Sequence, residues 1–143
     1  MKKKIMIING PNLNALGKRE TNIYGSDTLN DIMDFTRRET ESLGAELSFY
    51  QTNSEGEIVD LLYKAYESCD GVVINAAAYS HYSIAIRDAI ASIKLPCIEV
   101  HLSNIYARDE FRHTSVISPV CAGVISGLGK YVYPLAVRGL LCI

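Results

Sequence analysis

Two short, uninterrupted apolar runs, Ile5-Met6-Ile7-Ile8 and Val72-Val73-Ile74, constrain this chain more than any other feature. Runs of that length, each closed by an asparagine, read as strands buried on both faces rather than as helices. Strands buried on both faces occur almost only in parallel sheets covered by helices, because each crossover lays a helix over one face.

The intervening segments fit that reading. After a first strand at 4–9, Thr28-Leu29-Asn30-Asp31 has the form of a capping box opening a helix to about Leu43, stopped by Gly44. Ala45–Tyr50 is expected to be a second strand, alternating in part. Ser54-Glu55-Gly56-Glu57 is another box, with Ile58, Leu61, Leu62 and Ala65 as the apolar stripe behind it. Gly71–Asn75 is the third strand. Ser80 is the expected cap of a helix carrying Ile84, Ile86, Ala89, Ile90 and Ile93, ended by Pro96. Cys97–His101 is the fourth strand, a long connection spans 102–121, a fifth strand lies at about 122–127, and a last helix runs from about Gly129 to Leu141. Five strands with such crossovers predict one α/β domain over 1–143, a flavodoxin-like three-layer sandwich with strand order 2-1-3-4-5. The order reverses between strands 1 and 3, where a ligand crevice is expected beyond the carboxyl ends.

Charge and cysteine content narrow the function classes. A formal charge of −2 offers no basic surface for nucleic acid, and no apolar run is long enough to span a membrane. Cys69, Cys97, Cys121 and Cys142 form no C-x-x-C pair and read as free thiols of a reducing compartment, so a cytosolic protein is expected. Hydrophobic content of 48% is high for a small monomer and points weakly to buried subunit interfaces. The three histidines share no metal-ligand spacing, and Gly10 to Gly17-Lys18 has neither the spacing nor the Ser/Thr of a phosphate-binding P-loop.

The expected strand ends are rich in polar chemistry. Strand 1 runs into Asn9-Gly10-Pro11-Asn12-Leu13-Asn14, then Arg19 and Tyr24-Gly25; strand 3 ends in Asn75 and leads to His81. On strand 4, alternation points Glu99, His101 and Ser103 to one side, so Glu99 can orient the His101 ring as in acid–base catalysis. A structural reading stands beside each: turn-forming asparagines, a capping His81, a solvated Arg87 and Asp88, and a surface His113. On residues alone, a non-catalytic flavodoxin-like binding module remains an alternative, because fold does not fix function.

These residues resemble a known family, the type II 3-dehydroquinate dehydratases, lyases of the shikimate and quinate pathways. The resemblance runs through Ile8–Asn14, Arg19, Ile23–Gly25, Asn53–Glu57, Ala78–His81, Ile86–Ala89, Glu99–Asn104, Ala107-Arg108 and Phe111–His113. It implies dehydration of 3-dehydroquinate to 3-dehydroshikimate by anti elimination through an enol or enolate, with no cofactor and no Schiff base. By position it makes Tyr24 the base at C2, with Arg19 beside it favouring the phenolate. Asn12 would support the C3 oxygen, and His101, held by Glu99, would be the acid at the C1 hydroxyl. Asn75, His81, Ser103, Arg112 and the Leu102 backbone N–H would hold substrate. Asp88 would reach a neighbouring subunit's site in a dodecamer built from trimers. The chain departs from many relatives in having Ala76 and Thr21 where they carry proline, which loosens backbone without removing a functional group.

Overall fold

The computed structural model describes residues 2–18 and 20–143. Five strands, β1 (Lys3–Asn9), β2 (Ala45–Gln51), β3 (Gly71–Asn75), β4 (Cys97–His101) and β5 (Gly123–Ser126), form one sheet in the order β2-β1-β3-β4-β5. All pairings are parallel, with Asn9 level with both Gln51 and Asn75. The expected architecture and strand order are those observed.

Strand alternation sorts the core into two layers. Ile5, Ile7, Val73, Ile98 and Val100 face α2 (Leu29–Thr40) and α5 (Val132–Cys142), whereas Met6, Ile8, Val72, Ile74 and Cys97 face α3 (Glu55–Ser68) and α4 (Ile84–Ile93). A four-residue helix, α1 (Thr21–Tyr24), lies in the loop after β1. The chain leaves β1 for one layer and β3 for the other, so the two loops part above the sheet and leave room for a ligand. Gly10 sits where they begin to part. Its N–H bonds the Asn75 carbonyl at 2.7 Å, and a Cβ there would stand 2.8 Å from the Ala76 oxygen.

Local signals were realised with instructive differences. Thr28 and Asp31 form a reciprocal capping box, but the helix ends at Thr40 and one 3-10 turn continues to Leu43 before Gly44 takes φ 79°. At Ser54 only half a box forms. Its hydroxyl accepts from the Glu57 N–H, while the Glu57 carboxylate takes the Thr52 hydroxyl instead. Ser83, not Ser80, caps α4, accepting from the Ile86 N–H at 3.0 Å. A 3-10 turn at Ala77–His81 displaces the helix start, buries Ser80 and leaves Ile84 exposed. Residues 129–131 likewise form a 3-10 turn before α5 begins at Val132. Ala76 has φ −75°, within the range a proline ring enforces.

Candidate active site

A cleft lies over the carboxyl ends of β1, β3 and β4. Its floor is β4. Glu99 is fully buried, yet it bears an ionisable carboxyl facing the α3–α4 layer, and a charge there must be matched by donors. Three groups supply them. His101 Nε2 lies 2.5 Å from Oε2, the Ser115 hydroxyl donates to the same oxygen at 2.7 Å, and the Ser118 hydroxyl donates to Oε1. Burial pushes the Glu99 pKa up, but the bonds from His101, Ser118 and Ser115 outweigh it and hold the carboxyl below the usual carboxylate range. With Nε2 committed to Glu99, Nδ1 is the nitrogen His101 offers to the cleft it lines.

His81 stacks on His101 with ring centroids 6.2 Å apart. Its Nδ1 lies 2.8 Å from the Thr114 carbonyl and must donate there, so Nε2 is the free position. Burial lowers the His81 pKa from its ordinary value. The Thr114 bond opposes this, and the neighbouring His101 and Arg112 charges lower it further. The ring is therefore neutral at pH 7 and presents an acceptor.

The opposite wall carries Tyr24 and two guanidiniums. Arg108 donates to the Tyr24 hydroxyl and, at 3.4 Å, to the Ser103 hydroxyl; its Cζ lies 5.3 Å from the Tyr24 ring centroid. Arg112 lines the same cleft, and its buried Nε–H has no partner among the described residues. Asn12 lines the adjoining part of the cleft in a left-handed conformation (φ 69°), its N–H held by the Asn53 side chain at 3.0 Å.

Behind the wall, Asn75 donates to the Tyr133 hydroxyl at 3.0 Å and accepts from the Ala77 N–H at 3.2 Å. Tyr133 in turn donates to Asn9 at 2.6 Å. This fully buried chain locks the ends of β1 and β3 to α5 and leaves one Asn75 N–H for the cleft.

Of the expected site residues, Asn12, Tyr24, Asn75, His81, His101, Leu102, Ser103 and Arg112 line this continuous cleft, and Glu99 lies beneath it. Arg19 lies outside the described residues. Asp88 is exposed on α4 and does not line the cleft of this single chain. Arg87 is not a solvated side chain, since it donates to the Val116 carbonyl at 3.0 Å. His113 is not a free surface group either: its Nε2 lies 2.8 Å from the Arg108 carbonyl and steadies the turn that aims Arg108. Sequence reasoning assigned no role to Arg108, Ser115, Ser118 or Tyr133. The only prior signal was the Ala107-Arg108 block in the family resemblance.

The arrangement joins a phenol under a guanidinium to a carboxylate-held imidazole across one small cleft. That pairing suits removal of a proton on one side of a substrate and delivery of one on the other.

Comparison with known proteins places this geometry in context. The family model described as dehydroquinase class II matches residues 3–141. The chain is 57% identical over 138 residues to a 3-dehydroquinate dehydratase of Jannaschia sp. (strain CCS1), covering 96% of this chain and 93% of that one. It is 53% identical over 139 residues to a 3-dehydroquinate dehydratase of Caldicellulosiruptor bescii, covering 96% of each. The crystal structure of the type II dehydroquinase from Butyrivibrio crossotus DSM 2876 superposes with a TM-score of 0.95 at 48% identity, over 97% of both chains.

Proposed function

The chain belongs to the class II dehydroquinases, and on that premise we propose that it dehydrates 3-dehydroquinate to 3-dehydroshikimate by acid–base chemistry of its own side chains. The observation that carries the reading is the Tyr24–Arg108 contact facing the Glu99–His101 pair across one cleft.

The C2 proton is α to the C3 ketone, so its removal by Tyr24 sends the C–H electron pair into the ketone oxygen. A guanidinium donating to the Tyr24 oxygen holds that oxygen in place at the cleft. The enolate then needs donors at its oxygen, a role suited to Asn12 on the same wall. Collapse of the enolate expels the C1 hydroxyl, which leaves as water once His101 gives up its Nδ1 proton. His101 enters this step as an imidazolium held against the Glu99 carboxylate and leaves it as the Nε2–H tautomer. Base and acid acting on opposite faces of the substrate ring would make the elimination anti.

Arg112, whose guanidinium lines the cleft, matches the substrate carboxylate, and the free acceptor of His81 matches a ring hydroxyl. Asn75 contributes its spare N–H, and Ser103 and the Leu102 N–H complete the cradle. Arg19, expected beside Tyr24, would add to the charge that Arg108 already supplies. A lysine imine is disfavoured because no described lysine lines the cleft; Lys64 on α3 donates to the Tyr50 hydroxyl on β2.

Assembly into a homo-oligomer, the trimer-based dodecamer of the resemblance, is supported by exposed Tyr63, Tyr66, Tyr82 and Ile84 around α3 and α4. Asp88 lies on that α4 surface and would meet its partner only there. Sedimentation velocity checks this, a monomer being the contrary result.

The activity is tested by ultraviolet absorbance of the protein mixed with 3-dehydroquinate. A rising conjugated enone-carboxylate signal, unaffected by prior borohydride treatment with substrate, is expected. A flat trace from folded protein would overturn the reading.

A further inference from the structure

Glu99 is an unusual orienter in that a single segment from outside its own strand supplies two of its three donors. The segment is Ser115–Ser118, in the connection between β4 and β5. The Ser115 hydroxyl donates to Oε2 and accepts the Ser118 N–H at 3.2 Å, while the Ser118 hydroxyl donates to Oε1. Each carboxylate oxygen is thus held from a direction other than that of His101.

The segment is itself anchored on both sides. The Val116 N–H bonds the Ser80 carbonyl at 2.8 Å, Arg87 bonds the Val116 carbonyl at 3.0 Å, and the Ile117 side chain is fully buried. Pro119 stiffens the 3-10 turn that follows. The hydroxyls are therefore preorganised by the turn that carries His81 and by α4, not by the cleft contents.

We propose that Ser115 and Ser118 are positioning residues for the acid of the reaction: they clasp the Glu99 carboxylate in the one orientation that aims His101 into the cleft. Neither serine lines the cleft, so they act through Glu99. Their donors share the carboxylate's charge with His101. With a serine donor removed, the charge is concentrated on the imidazolium, which then holds its proton more tightly and is a weaker acid.

The proposal rests on the dehydratase reading only for its kinetic arm. The direct arm is an NMR titration of ¹⁵N-histidine-labelled protein, which needs no substrate. Other charged or titratable groups around the pair are His81 stacked on His101, Arg112 and Arg108 across the cleft, and Cys97 with Cys121 beneath Glu99. None of these is altered in the variants.

In Ser118→Ala and in Ser115→Ala, the upper titration midpoint of the Glu99–His101 pair should move upward by about one pH unit, part of a lost charged hydrogen bond being transmitted to the ring. The kcat should fall by about tenfold with KM changed less than about threefold, since neither side chain touches substrate. Ser118→Thr, which keeps the hydroxyl, should restore both readouts. Should Ser118→Ala not fold, Ser115→Ala and Ser118→Thr carry the same test. Unmoved midpoints in the folded variants would overturn the proposal even with activity reduced. A wild-type protein inert toward 3-dehydroquinate would refute the functional reading and leave the titration to decide the clasp.

Discussion

Removing a single oxygen atom, the Tyr133 hydroxyl, should destabilise the protein out of proportion to its size. The ring is fully buried, and its hydroxyl ties the Asn9 side chain to the Asn75 side chain at the ends of β1 and β3. Burial pushes its pKa up, so it is a neutral donor at every working pH. In Tyr133→Phe the Asn9 side-chain oxygen, 1% exposed at the residue level, loses its donor. Leaving such a group unpaired costs about 1–3 kcal/mol. Asn75 borders the cleft and can turn its freed N–H toward water, so it adds only about 0.5–1 kcal/mol. The sum of about 1.5–4 kcal/mol corresponds to a fall in Tm of roughly 5–13 °C for a chain this size. Urea unfolding of both proteins at one protein concentration measures it directly. A loss below about 0.5 kcal/mol would show that the hydroxyl bonds little better than water does, and the reasoning would fail.

Three further outcomes follow from the same contacts. Arg108→Ala strips the donor from the Tyr24 hydroxyl and should lower kcat by about 10²-fold or more, measured by enone absorbance; near-normal turnover would leave Arg19 as the sole partner. Glu99, whose folded carboxyl lies below the usual range, stabilises the fold fully above its unfolded pKa of about 4.3 and loses that contribution as pH falls through the folded value. Urea midpoints between about pH 3 and 6 should therefore fall on the acid side, and the fall should be shallower in Glu99→Gln. Gly10→Ala drives a Cβ to 2.8 Å from the Ala76 oxygen, and the backbone shift it forces should cost about 1–3 kcal/mol by the same unfolding assay.

What could be read ahead of the structure follows from which forces act locally. Apolar runs declare buried strands because a strand interior between two helix layers has no polar option, and β3 and β4 fall at their expected bounds. The Glu99–His101 contact was legible because alternation along one strand fixes both directions. Ser80 and Ser83 are equally good caps by type, and the choice was made by a 3-10 turn that forces Ala77 to φ 52°, a strain no local pattern announces. Arg108 reaches Tyr24 across 84 residues of chain, and Ser118 reaches Glu99 across 19, both from a connection without periodicity. Their positions are set by how three 3-10 turns pack over the sheet, not by spacing. Tyr133 was one of nine tyrosines until the packing of α5 buried it between two asparagines.

The division of labour between Tyr24 and His101 is tested most directly by exchange at C2. Each of Tyr24→Phe and His101→Asn is incubated with 3-dehydroquinate in deuterated water, and both deuterium entry at C2 and enone formation are followed by proton NMR. The account predicts that His101→Asn still exchanges the C2 proton while elimination is lost, and that Tyr24→Phe does neither. Exchange persisting in Tyr24→Phe, or vanishing in His101→Asn alone, would contradict the assignment of base and acid.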